Sequence, residues 1–478
     1  MNQQRESRSA AAALPARRID AHGRAHVDMR AVLALALPLV ANSAVQVVLN
    51  LTDVWFIGRI STEALAAVGA VHWLVIVAGL LLSGVGMAVQ TLAAQAHGAR
   101  RYVRAAQAVW TAMWGVLFTT PLFLAVAFSG SLILAPFGVD PQIQRLAVEY
   151  WFPRLAGGPF GAAVWAMLGF FNGIGRPRIS LTVSAVIALS NAVLNEIFIF
   201  RLDLGVAGAA WATTTAQAIG LALAFAIFLR APVRRVYRSH LTWRLHGGRL
   251  WRQVRLGVPM GLLYAGDLIG ISIFQIMQVR LGAADGAATQ LVMMLTSLAY
   301  MPGMGIALAG TTLVGQSIGA GDRRWAMRVG NHVIALAAVV MGGIGLLLAL
   351  AGPWLLPVFL AADDAQGAAA LAVGTRILWL AAAYQFFDGL NLGSGLCLRG
   401  AGDATVPAVL VLVLSWAFFV PLAHSLTFAP GQGWFDILPQ AGWGAVGGWT
   451  AVVVYVLLVG ITLFLRWRSG AWQRITLG

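Results

Sequence analysis

About twelve apolar runs, each roughly 20 residues or longer, fill the chain from Ala31 to Leu465, and they decide most of what it can fold into. A helix of that length crosses a hydrocarbon core of ~30 Å. The runs are continuous and lack the alternation of a membrane β-barrel. With 59% hydrophobic and only 10% charged residues, the 478-residue chain has too little polar surface for a soluble globule. The expected fold is an all-α polytopic membrane protein, with helix one near 31–57, helix seven near 257–281 and helix ten near 367–398.

The basic residues orient these helices. All 32 are arginine, and without lysine there is no Walker A phosphate loop. Of the 32, 26 fall in the two terminal segments or in alternate loops, such as Arg100 and Arg101, Arg176 and Arg178, and Arg323 and Arg324. By the positive-inside rule both termini are expected in the cytoplasm, with an even number of helices. The arginines form no single basic domain, so the net charge of +15 does not indicate nucleic-acid binding. Residues 1–30 read as a disordered cytoplasmic tail, because Glu6, Asp20 and Asp28 oppose a transit peptide. Next come a six-helix lobe at 31–230, a basic cytoplasmic linker at 231–256, a second lobe at 257–466 and a tail at 467–478. The single cysteine, Cys397, permits no internal disulfide or Cys metal cluster.

The two halves repeat. Pro38 pairs with Pro259 at an offset of 221 residues, and the same offset pairs Gln95 and Gly98-Ala99 with Gln316 and Gly319-Ala320. Further on, NGIGRP from Asn172 resembles RGAGDA from Arg399. Each half has an even number of helices, so the halves run in parallel about an axis along the membrane normal. Such lobes enclose a central cleft and rock about it.

Three carboxylates, Asp53, Asp267 and Asp388, lie within apolar helices, where an ionisable group is costly unless it faces a partner, an ion or water. Gln46, Asn50 and Asp53 fall at i, i+4 and i+7, one polar stripe on helix one. Tyr384, Asp388 and Asn391 repeat that spacing on helix ten. Helix seven adds Tyr264, Asp267 and Gln278, and helix five Asn191 and Asn195. Any one such acid is also explained as a neutral group that glues helices by hydrogen bonds. Three in a duplicated chain weigh against that reading.

ALPLVANSAVQVVLNLTDVWFIGR in helix one, GVPMGLLYAGDLIGISIF in helix seven and AAAYQFFDGLNLGSGLCLRGAGD in helix ten, in this order, carry a family likeness. Over residues 30–470 the chain resembles the multidrug and toxic compound extrusion (MATE) transporters, in their NorM-like branch. The resemblance implies a coupling-cation site at Asp267 and Asp388, a possible Na⁺ site, and a role for Asp53, with Asn191 and Asn195, in proton or substrate handling. Some relatives carry Asp where this chain has Asn195, which weakens a two-acid proton site there.

A carboxylate in low dielectric binds and releases a proton as water reaches it from alternate sides, and with neighbouring oxygens it also suits Na⁺. The function expected is therefore a secondary active antiporter of the bacterial inner membrane, not an enzyme. It would export lipophilic organic cations against Na⁺ or H⁺ by alternating access, as a lipid-embedded monomer without a cofactor. A flippase for lipid-linked oligosaccharides would need more cleft cations than Arg154 and Arg376. A membrane-embedded enzyme would need a nucleophile and base that the sequence does not display. Arg154 is expected to snorkel or to pair with Glu149.

Overall fold

The computed structural model describes residues 14–137, 140–359, 365–435 and 438–475. Among them, eleven helices are long and apolar enough to cross a membrane, and a bent helix pair supplies a twelfth span. In chain order these are α1 (Met29–Gly58), α2 (Thr62–Gly98), α3 (Tyr102–Phe128), α4 (Pro141–Ala156 with Gly158–Gly173), α5 (Pro177–Arg201) and α6 (Gly205–Leu229). The second set is α7 (Gly247–Leu281), α8 (Ala284–Gly319), α9 (Arg323–Phe359), α10 (Gly367–Ala401), α11 (Thr405–Thr427) and α12 (Gly444–Arg468). The two sets form two lobes of six helices, running in the same direction.

The 43° bend in α4 has a local cause. A Cβ at Gly157 would collide with the side chain of Thr214, and one at Gly158 with the ring of Phe123. Pro159, at the start of the second segment, lacks the N–H that would continue the ladder. The carbonyl of Pro153, on the turn before the bend, accepts from Gly157 N–H and also from the Thr214 hydroxyl, each at 3.0 Å.

Two helices straddle the lobes. Val32, Ala36 and Leu39 of α1 pack into the core of the second lobe, whereas Leu49, Phe56 and Ile57 pack into the first. In α7 the pattern is mirrored, with Leu256 and Met260 against Met87 and Ala88 and with Phe274 and Met277 in the second-lobe core. Pro38 and Pro259 occupy the same stretch of each helix. Helices in lipid associate through close packing of small residues, since lipid tails are as apolar as leucine. Accordingly, a Cβ on Gly84 would strike the Gly257 main chain of α7, and one on Gly305 the Val40 main chain of α1. Gly84 and Gly305 are themselves 221 residues apart, so the repeat read in the sequence is a repeat of helix crossings.

The tails and linker are more ordered than expected. Residues 1–13 lie outside the described residues, but Arg17–Ile19 pairs antiparallel with Ala25–Val27, so the expectation of disorder up to residue 30 is corrected. Leu14 joins the second-lobe core, the Trp325 indole N–H donates to the Pro15 carbonyl at 2.9 Å, and the Arg17 guanidinium lies 5.7 Å from the Trp325 ring. The Arg-rich tail thus has an aromatic partner that local sequence does not reveal. Trp325→Phe keeps the ring and loses the donor. At about 1 kcal/mol for the bond, tryptic cleavage at Arg17 and Arg18 is expected to quicken roughly fivefold. Unchanged cleavage would show that this bond does not hold the hairpin. The linker contains a short helix, Ala231–Tyr237, and α7 begins at Gly247 rather than at Gly257. In the C-terminal tail, Trp472 stacks on Trp467 at 4.7 Å.

Candidate functional site

The lobes are joined at the end of the bundle that carries the arginine-rich loops. Here α4 and α10 finish in matching turns, with Gly175 at φ 77° and Gly402 at φ 91°, a region that favours glycine. In each turn a main-chain N–H closes back five residues, Arg176 to Phe171 and Asp403 to Leu398, as a Schellman cap. The last helical carbonyls also accept from the other lobe. Gln316 Nε2 donates to Gly173 O at 2.8 Å, and Gln95 Nε2 donates to Gly400 O at 2.9 Å. Thr312 Oγ1 donates to Asn172 O and Thr91 Oγ1 to Arg399 O, both at 3.0 Å. These four bonds are two pseudo-twofold pairs. Arg399 adds an unpaired element to the pattern by donating to Met87 O at 2.6 Å. No space separates the strapped helices, because a Cβ at Gly98 would fall on the Gln316 carbonyl and one at Gly319 on the Gln95 carbonyl.

In the first lobe, Asp53 sits inside a closed polar ring. Asn195 Nδ2 donates to Asp53 Oδ1 at 2.8 Å and lies 3.1 Å from Asn191 Oδ1. Asn191 Nδ2 donates to Thr213 Oγ1, which stands 3.2 Å from Asp53 Oδ2. Asn191 and Asn195 are fully buried, so each amide relies on these partners. A π-helical turn, Glu196–Arg201, follows Asn195 immediately, and such insertions re-aim side chains at functional positions. Gln46 and Asn50, on the same stripe of α1, are exposed in the isolated chain, and no hydrogen bond described joins either side chain to the ring.

In the second lobe, the Tyr455 hydroxyl of α12 donates to Asp267 Oδ1 at 2.6 Å. Asn391 Nδ2 donates to Asp388 Oδ1 at 3.2 Å, as their positions on one face of α10 suggest. The two carboxyls are within electrostatic reach of each other, and Tyr300 is within reach of both. A second π-helical turn, Leu414–Phe419, places Phe419 in a 4.7 Å stack on the Tyr455 ring. Each lobe therefore sets a π turn beside its carboxylate site.

Some expected members stand apart. Gln278 is buried toward Thr427, 3.5 Å from its hydroxyl. Tyr264 lies against the seam formed by Met87, Leu256 and Met260, whereas Tyr384, packed near Trp449, stays within electrostatic reach of Asp388. Arg154 does not pair with Glu149. That carboxylate is taken by Arg145 at 3.2 Å, one helical turn away on an exposed face. Arg154 instead lies within electrostatic reach of Asp53 and His72. Tyr455 and Thr213 are site residues that the sequence did not single out, and only the TTT run at 213–215 in an apolar helix hinted at the latter.

Comparison with known proteins agrees with this architecture. The MatE family model matches residues 38–197 and 268–424. A probable multidrug resistance protein NorM of Agrobacterium fabrum is 26% identical over 90% of this chain and 94% of its own. The NorM of Pseudomonas syringae pv. tomato is 29% identical over 92% of this chain and 94% of its own. Among solved structures, a MOP superfamily transporter from Pyrococcus furiosus superposes with a TM-score of 0.80 at 19% identity, covering 93% of this chain and 96% of that one. A eukaryotic MATE transporter superposes at 0.77 with 18% identity over the same shares. With both halves of the repeat matched and the twelve-helix fold shared, the chain belongs to the MatE family of membrane transporters.

Proposed function

We propose that the protein is a multidrug efflux antiporter of the bacterial inner membrane, acting as a monomer with both termini cytoplasmic. It exports lipophilic organic cations in exchange for Na⁺ or H⁺. The observation that carries this reading is the division of labour along the bundle. One end is latched by hydrogen bonds between lobes, while the carboxylates lie deeper, each in its own lobe. With the arginine-rich end in the cytoplasm, this latched arrangement is the one closed to the cytoplasm, and the exposed Gln46 and Asn50 are candidates for the path from the other side. The relatives' description as probable multidrug resistance proteins supports the substrate class, and helices that hold acids but few arginines favour cations.

Asp267 and Asp388, with the Tyr455 hydroxyl on the first and the Asn391 amide N–H on the second, offer carboxylate oxygens that suit a proton or Na⁺. Coupling requires that the ion favour one state of the lobes over the other. A carboxyl pair meets that condition when its access to water changes as the latch opens. Asp53, held by neutral amides and a hydroxyl, serves the substrate or proton path of the first lobe.

The test is accumulation of a fluorescent organic cation in cells lacking other pumps. Expression is expected to lower accumulation, and removing Na⁺ or adding a proton uncoupler, whichever acts on the coupling ion, should restore it. Accumulation that is the same with and without the protein would remove the efflux reading.

A further inference from the structure

Between Leu204 and Gly266 the chain has no carboxylate, yet it carries Arg230, Arg234, Arg235, Arg238, Arg244, Arg249, Arg252 and Arg255. The segment is not a loose connector. Trp110 Nε1 donates to Ser239 O and Trp114 Nε1 to Trp243 O, both at 2.7 Å. Gln253, itself buried, donates to Val85 O and Ala108 O at 3.2 Å, and the Tyr237 hydroxyl meets His97 Nδ1 at 2.9 Å. The linker is thereby fastened to α2 and α3 of the first lobe, with Ser239 and Thr242 also buried, while a set of its aromatic, leucine and arginine side chains stays exposed. Trp251 is 68% exposed and Leu241 62%, with Trp243 also exposed, interleaved with the exposed Arg238, Arg244, Arg249 and Arg255.

Exposed indoles and leucine among cations, at the water end of membrane-spanning helices, match the boundary between acyl chains and headgroups. A zwitterionic headgroup leaves such a cluster uncompensated, whereas an anionic one neutralises it. We propose that residues 238–255 form a preformed binding surface for anionic phospholipid headgroups, with the indoles set at the acyl boundary and the arginines on the phosphates. Because the platform is fixed to one lobe, its backbone is already ordered when lipid binds, and it travels with that lobe.

The test uses the full-length protein in phosphatidylcholine vesicles containing trace spin-labelled phosphatidylglycerol or spin-labelled phosphatidylcholine. The fraction of each lipid that the protein restricts is the quantity read. At low salt, phosphatidylglycerol is expected to be preferred by about tenfold, since each arginine near the surface adds to the attraction. The preference should be lost at high salt and in R244Q/R249Q/R255Q, with graded losses in the single variants, all at exposed positions. Arg323→Gln with Arg324→Gln, on another loop of the same face, should leave it intact. Retention of the preference by the triple variant, or an equal loss in the Arg323 and Arg324 control, would overturn the proposal. The measurement involves no transported substrate, so it stands apart from the efflux reading.

Discussion

Gly98→Ala is expected to cut transport about tenfold or more. The added methyl group lands on the Gln316 carbonyl and pushes apart the helices that Gln95 and Gln316 tie together. Overpacking of this kind costs roughly 1–3 kcal/mol, enough to shift an equilibrium between two lobe arrangements by about 5- to 150-fold. Gly319→Ala, its repeat mate, should act equally, because its methyl group meets the Gln95 carbonyl. Gly79→Ala and Gly343→Ala serve as controls, since nothing stands within 4 Å of a Cβ at either position. The state itself can be read by placing a cysteine at the exposed Asn50 and labelling it with a membrane-impermeant maleimide from outside. Cys397, the chain's single cysteine, is fully buried and stays silent. Labelling should slow in both gate variants. Normal transport with unchanged labelling would remove the latch from the mechanism.

The second large effect is on ion coupling. Asp267→Asn and Asp388→Asn keep side-chain size while removing the ionisable group, and each is expected to reduce ion-driven transport in sealed vesicles by about 100-fold. The reason is thermodynamic, because an ion with no differential affinity for the two states shifts nothing. Asp53→Asn, isolated from that pair in its own ring of amides and a hydroxyl, should slow export while leaving its ion dependence in place. Wild-type ion dependence in both second-lobe variants would end the assignment of the coupling site.

What the sequence revealed of this site follows from how each residue is connected. Asp388 and Asn391 lie on one face of one helix, so their bond was implicit in their spacing. The family likeness brought Asn195 beside Asp53, 142 residues away. Tyr455 is 188 residues from Asp267 and sits among ordinary apolar residues of α12, with no periodicity to mark it. The hairpin at 17–27 escaped notice for a similar reason, since its partner Trp325 lies in the other half of the chain. Twelve spans were legible because membrane helices are set by length and apolarity alone. The bend in α4, the straddling of α1 and α7 and the π turns depend on tertiary contacts that hydropathy does not encode.

The latch between the lobes has one property that bears on how such a duplicated chain diverges. Its donors are side chains, but the acceptors at residues 172, 173, 399 and 400 are main-chain carbonyls presented by a turn. At residues 172 and 399 the side chain takes no part in the bond, and Asn172 in one copy corresponds to Arg399 in the other, whereas a Cβ at Gly173 or Gly400 would strike the main chain at Gln90 or Thr311. What must persist is the backbone path, with a glycine at the left-handed position, a second glycine at the packed acceptor position and two donors on the opposing helix. The half that carries Arg399 has used that freedom to reach across to Met87. A twofold lock inherited from duplication has thus acquired a handed asymmetry, a means for the two lobes to take unequal parts in opening.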